Sequence, residues 1–356
     1  MCRRIIAGLL TWLFLFSCVP QTLAGEAEGL TIEQAVDMAL GNSKTLKQAE
    51  LEIEKVDAQR QPIADTVKFI PNEASGSPVA DKAYTALVTA DLSRLMTRKN
   101  RDITEDKITV ATVNAYLGVL RAMNNLNYCK DALRHAQTEW RHATIKHQQG
   151  MLSAVEKNAA DTKYQAAQTA VQSAEVQLAT AYEALNKLLG LRAADRPVLS
   201  EKPAYSEINV SDLEGAVSQA VEGNPSVWLA EQNIDLAKLQ LALFDFNSNQ
   251  SYKASEIAVE QAELSAVDVK QQFRQAVRDI YYSIISLENS YILQQEAVKL
   301  AEDNLRVKKL MNSVGLATAY DVQTAELELQ KAKTDLDAIV FQHEYQKMIF
   351  EKPWAI

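Results

Sequence analysis

Four histidines and a scatter of carboxylates are the side chains in this sequence with the most obvious chemical potential. His135 and His142 are seven residues apart, and His147 follows five later. On a helix that spacing puts the first two on one face but two turns apart, too far to share a metal ion without a second helix supplying ligands. They read as solvated surface side chains, and no metal is expected. No Gly-rich phosphate loop, HExxH pair or nucleophile elbow occurs, so no catalytic site and no cofactor are expected either. Glu156 and Asp321 each follow a glycine turn by six residues. There a carboxylate can serve as a first-turn acid favoured by the helix dipole. Tyr281, Tyr282, Tyr291, Trp140 and Trp228 read as packing residues.

Such side chains must be held by long helices. Leu126, Cys129, Leu133, Ala136, Trp140 and Ala143 step by three and four. At an offset of 165 residues, Tyr291, Gln294, Val298, Ala301, Leu305 and Lys308 occupy the equivalent places. Val171, Ala174, Leu178, Ala181, Leu185 and Leu188 carry the same alternation after Gly150, and Val322, Ala325, Leu329, Ala332, Leu336 and Ile339 carry it after Gly315. A 3-4 alternation sustained this long makes a narrow coiled-coil seam. Gln149-Gly150-Met151 and Val314-Gly315-Leu316 read as hairpin turns. In each, Gly ends one helix, and Ser153 or Thr318 caps the next.

Two short entry helices repeat at an offset of 181. Ala35, Val36 and Ala39 correspond to Ala216, Val217 and Ala220, with Thr31 and Ser211 as expected N-caps. Agreement of both patterns at fixed offsets indicates duplication. The expected fold is all-α: long antiparallel coiled-coil hairpins in two tandem repeats, with little or no β-strand. The expected divisions are a signal segment at 1–24, a first repeat at 25–200 and a second at 201–356. Tyr252 to Asn312 should form one helix of roughly 90 Å at ~1.5 Å per residue. A tight reversal is expected at Asn247-Ser248-Asn249.

Arg3, Arg4 and the apolar run Ile5 to Phe16 read as an export signal cleaved after Ala24. An uncleaved anchor and lipidation at Cys18 are the alternatives. After cleavage only Cys129 remains, so no internal disulfide is expected. The net charge of −9 becomes more negative still once those two arginines are removed. This acidity argues against nucleic acid as a partner.

The paired entry helices, the segments Val113-Asn114-Ala115-Tyr116-Leu117 and Asp279-Ile280-Tyr281-Tyr282, and the two glycine hairpins together resemble the TolC outer-membrane efflux family over about residues 30 to 356. The resemblance implies a homotrimer forming a passive helical tunnel. It also implies a periplasmic adaptor (membrane fusion protein) at the tunnel tip and an inner-membrane pump, as in a tripartite efflux or type I secretion system. Val314, Gly315 and Leu316 match the adaptor-contact tip, and Gln149, Gly150 and Met151 match it more weakly. Asp321 and Glu156 match positions where family members narrow the tunnel mouth with carboxylates; a symmetric ring of acids attracts cations. Thr324 stands where a second aspartate can occur, and Ala317 where an arginine can help hold the mouth shut. The chain departs from the family at the barrel. Four membrane strands of ~9–11 residues need roughly 40 residues, and neither interruption of the helical pattern supplies them. Thr66 to Ile70 offers one short strand at most. Arg98 to Arg101 lies at the membrane-distal end, where headgroup contact is one expectation. A non-conducting coiled-coil scaffold or adaptor-like spacer is the alternative function.

Overall fold

A computed structural model describes residues 29–68, 77–244 and 251–355. Among them are eight helices: α1 (Ile32–Asn42), α2 (Lys44–Thr66), α3 (Pro78–Gln148), α4 (Ala154–Leu189), α5 (Leu213–Gly223), α6 (Pro225–Ala242), α7 (Tyr252–Ser313) and α8 (Ala319–Glu351). There is no strand among the described residues; one isolated parallel bridge joins Leu30 to Leu199. The all-α expectation holds, and so does the duplication. α5 starts and ends 181 residues after α1. α7 ends, and α8 begins, 165 residues after the matching points of α3 and α4.

The short and long helices of each half meet at a single residue. Ser43 closes α1 and caps α2, its hydroxyl accepting from the Leu46 N–H at 3.1 Å. Asn224 stands at the equivalent place between α5 and α6. Its Oδ1 accepts from Ser226 and Val227 at 2.7 and 3.1 Å, and Pro225 takes the first helical position, where its missing N–H costs nothing. Thr31 caps α1 in a capping box with Gln34. The expected cap Ser211 gives way to Asp212, which makes no side-chain capping bond.

α3 is 71 residues long, roughly 105 Å at ~1.5 Å per residue, and α7 is 62. Helices of this length cannot bury themselves and must share stripes with neighbours. α3 packs on α4 and on α8, and α7 packs on α8, so the long helices lie side by side in the order α4, α3, α8, α7. α2 runs along α3, and α6 along α7.

The main core lies where the two halves meet. Ala35 and Ala39 of α1, Val113, Tyr116, Leu117 and Val119 of α3, Tyr182, Leu185 and Leu189 of α4, and Phe341 of α8 are buried together. Tyr116 is fully buried. Its hydroxyl lies 2.8 Å from the Leu30 carbonyl and accepts from the Glu201 N–H at 3.1 Å, binding the start of the fold to the segment after α4. Burial pushes the phenol's pKa up. A smaller core joins Val217, Val221 and Val227 to Val277.

Residues 190–212 connect the halves and are held along their path. Leu30 donates to the Val198 carbonyl at 2.7 Å. Lys202 reaches Asp337 at 2.7 Å, Lys347 reaches the Ser206 hydroxyl at 2.7 Å, and the Ile208 N–H donates to Glu288 at 2.7 Å. Glu288 also meets the buried His343 at 3.2 Å.

At the opposite end from the hairpin turns, residues 67–77 separate α2 from α3, and residues 243–251 separate α6 from α7. α2 continues through Pro62 to Thr66, and α3 starts at Pro78. Thr66, offered above as the start of a short strand, is helical. Phe69 and Ile70, the Asn247-Ser248-Asn249 reversal and the signal segment lie outside the described residues. Each interval is about as long as one membrane strand. Among the described residues no helix is long and apolar enough to cross a membrane.

Candidate functional site: the paired hairpin tips

The two turns are built alike. Gln149 closes α3 and Val314 closes α7. Gly150 and Gly315 follow with φ of 73° and 76°, the left-handed region that favours glycine. The next residue then folds its N–H back: Met151 donates to Lys146 at 2.9 Å, and Leu316 to Met311 at 2.8 Å. This closure satisfies carbonyls that a helix end leaves orphaned. A side chain locks each turn from outside. His147 donates through Nδ1 to the Leu152 carbonyl at 2.9 Å, and Asn312, its repeat mate, donates to the Ala317 carbonyl at 2.8 Å. His147 is at the surface, as expected, and its ring is bonded into the turn. Met151, Val314 and Leu316 are left exposed at the extremity.

Glu156 and Asp321 complete capping boxes. Glu156 Oε2 accepts from the Ser153 N–H at 2.9 Å and hydroxyl at 2.7 Å, and Asp321 Oδ2 accepts from the same groups of Thr318, both at 2.7 Å. The bonds to Ser153 hold the Glu156 carboxyl below its usual range. The backbone and hydroxyl bonds from Thr318 do the same for Asp321, with a further contribution from Lys308. Each acid is thus ionised and fixed, one behind each tip. Among the described residues they share no hydrogen bond.

Behind the tips the structure joins the two hairpins through contacts that sequence spacing did not indicate. Tyr320 at the start of α8 stacks on His135 of α3, ring centroids 4.6 Å apart, and meets the edge of His142 at 5.9 Å. His135 Nε2 lies 2.8 Å from Thr324 Oγ1. The Tyr320 hydroxyl donates to Glu139 at 3.2 Å, and Lys163 of α4 holds the other Glu139 oxygen at 2.6 Å. Burial alone would raise Glu139, but Lys163, the Tyr320 hydroxyl and His135 together outweigh it and the carboxyl is held low. Burial pulls His135 down and pushes Tyr320 up to about 12. Reading His135 as a solvated surface residue is corrected by this packing, whereas His142 stays exposed, as expected. The one available signal was the repeat itself, which places both histidines on the stripe that α7 carries as Leu300 and Val307.

Cys129 is half-buried and its thiol is raised by burial, as suits a small packing residue. Trp140 stacks on Tyr164 and donates to Asp161 at 2.7 Å, closing the α3–α4 hairpin near its tip.

No family model and no curated protein matches the chain. Solved structures do. The outer-membrane channel CmeC of Campylobacter jejuni is 12% identical, with a TM-score of 0.71 over 91% of this chain and 85% of that one. MtrE of Neisseria gonorrhoeae, an outer-membrane channel solved in its open state, is 14% identical, with a TM-score of 0.65 over 91% and 88%. The Vibrio cholerae outer-membrane protein VceC is 15% identical, with a TM-score of 0.62 over 91% and 95%. At these identities the likeness is one of fold, and it matches the duplicated hairpins described above. The chain has the fold of the TolC-type outer-membrane channels, with only residues 67–77 and 243–251 where the resemblance places a barrel.

Proposed function

We propose that this chain is a protomer of a passive, homotrimeric helical tunnel in the cell envelope, part of a tripartite efflux or type I secretion system that exports small molecules or proteins. The observation that carries the reading is the pair of equivalent, rigidly closed tips with exposed apolar residues, set on long hairpins in a fold shared with outer-membrane channels. Gln149, Gly150, Met151, Val314, Gly315 and Leu316 form the surface that receives a periplasmic adaptor, and an inner-membrane pump supplies the energy. Glu156 and Asp321 bring six fixed negative charges to the mouth of a trimer. The chain itself does no catalysis and uses no cofactor. Its place is the outer membrane or the adjoining periplasm.

The test is adaptor capture by crosslinking in envelopes of the producing cell. Leu316→Glu should cut capture at least tenfold with helicity unchanged. Undiminished capture by that variant, or sedimentation of the purified protein as a monomer, overturns the proposal.

A second reading is a non-conducting coiled-coil scaffold. The shortness of residues 67–77 and 243–251 favours it, since four spanning strands need roughly 40 residues. Images of the purified particle decide between them: a lumen along the helices supports the tunnel, a filled bundle the scaffold.

A further inference from the structure

At the end of the body away from the tips, α2 and α3 lie beside the end of α6 and the start of α7 and leave a cavity of about 970 Å³. α3 lines it along a face that runs from Pro78 to Ser93, roughly 22 Å at ~1.5 Å per residue. Beyond Asp81 and Lys82 that face carries only small side chains, Thr85, Ala86, Thr89, Ala90 and Ser93, so α3 itself does little to fill the space. Val56 and Ile63 of α2 line it too, with Leu243 and Phe244 at the end of α6. Val56, Leu243 and Phe244 are buried and Ile63 is half-buried.

The polar groups on these walls are mostly spoken for. The Thr85 hydroxyl donates to the Asp81 carbonyl at 2.9 Å, and the Thr89 hydroxyl to the Thr85 carbonyl at 2.8 Å. With its hydroxyl engaged on its own helix, neither threonine has a donor left for a polar guest. Arg60 donates through two nitrogens to the two oxygens of Asp91. Lys82 differs. It is exposed, stands just past the first turn of α3, and makes no ion pair among the described residues. Walls with few free polar groups favour an apolar occupant over water. An elongated apolar space with an unpaired cation near one end is complementary to a long-chain amphiphile with an anionic head.

The position of the groove selects the source of that amphiphile. Pro78, Leu243 and Phe244 adjoin residues 67–77 and 243–251, at the end that the function proposed above sets towards the membrane. Val79 and Tyr252 are exposed there, an apolar and an amphipathic side chain suited to a membrane interface. One leaflet contributes about half of a hydrocarbon core ~30 Å thick, so the reach of one lipid chain is within the length of the groove.

We propose that this groove takes one acyl chain of an anionic phospholipid from the adjoining leaflet, with the headgroup at Lys82. The site rests on the envelope placement proposed above. It gives this end of the body a hold on the membrane that requires no strand.

The test mixes the purified protein with phosphatidylglycerol vesicles that contain a trace of phosphatidylglycerol bearing a photoreactive group midway along one acyl chain. After illumination the labelled peptides are identified by mass spectrometry. Label is expected on α3 between Pro78 and Ser93 and on the facing turns of α2. Ala86→Trp fills the groove and should cut that label at least tenfold. Lys82→Glu should cut it roughly threefold, the scale of one exposed ion pair. Both positions are exposed, so helicity should be unchanged, which circular dichroism checks. Label elsewhere, or undiminished label in Ala86→Trp, overturns the site. Equal label from a phosphatidylcholine probe in phosphatidylcholine vesicles overturns the role of Lys82. Stronger label from a photoreactive fatty acid without vesicles makes the occupant a free carboxylate and overturns the membrane source. No label on trimers that show a lumen, as when a neighbouring copy or the chain's own residues fill the groove, overturns the site and leaves the tunnel standing. No label on monomers overturns both.

Discussion

The Tyr320 hydroxyl donates to Glu139 at 3.2 Å, joining the second residue of α8 to α3 across the boundary between the two halves of the chain. Glu139 is at the same time held by Lys163 of α4, so three helices converge on one carboxylate just behind the tips. Beyond this point the two halves meet through the edge contact of His142 with Tyr320.

Tyr320→Phe removes that bond but keeps the ring stacked on His135. The bond is partly exposed, so the expected loss is about 1 kcal/mol. Faster hydrogen exchange at the start of α8 and in the facing turns of α3 is the expected signature, with the core around Tyr116 unchanged. Equal acceleration throughout the molecule would contradict this placement.

The same junction should respond to acid. Burial lowers His135 below its ordinary value near 6.5, so the unfolded chain binds a proton there more readily than the folded one. Stability from this residue is full above about pH 6.5 and declines as pH falls through that value. Glu139, Glu156 and Asp321, all held low, lose their contributions only at more acidic pH. Thermal melts should therefore fall between pH 7.5 and 5.5, and His135→Gln should flatten that dependence. An unchanged slope in the variant would exclude His135 as its source.

Tyr116 and its repeat mate Tyr281 should differ. Tyr116 is fully buried and bonds two backbone groups, so Tyr116→Phe should cost about 1–3 kcal/mol in denaturant titration. Tyr281 contacts Phe350 and Tyr282 through its ring, and its hydroxyl carries no comparable bond among the described residues. Tyr281→Phe should cost less than half as much.

At the tips, a Cβ on Gly150 or Gly315 meets open space, so the cost of Gly→Ala comes from the backbone alone. Each substitution should lose about 1 kcal/mol, the penalty of a left-handed residue. Fraying should stay local to residues next to the turn, which amide exchange measures.

The long helices, the glycine turns and three of the expected caps were legible because each depends on residues within a few positions of one another. Thr31, Ser153 and Thr318 cap by local bonds that spacing encodes. The course of α2 was not legible in the same way: a proline inside a helix ordinarily breaks it, yet α2 runs through Pro62, because packing along α3 holds the helix despite the missing donor. Ser211 lost the cap position to its neighbour Asp212, a one-residue ambiguity usual at helix ends. The His135–Tyr320–Glu139 junction was invisible for a different reason. Its members lie 181 residues or more apart across the two halves, and no periodicity within one helix indicates which other helix will face it.

The segment from Glu201 to Ile208 is stapled to Tyr116, Asp337, Lys347 and Glu288 by side chains that do not depend on chain continuity. A chain cut there is expected to stay joined through its packing, and limited proteolysis followed by gel filtration under native conditions checks whether the two halves still travel together.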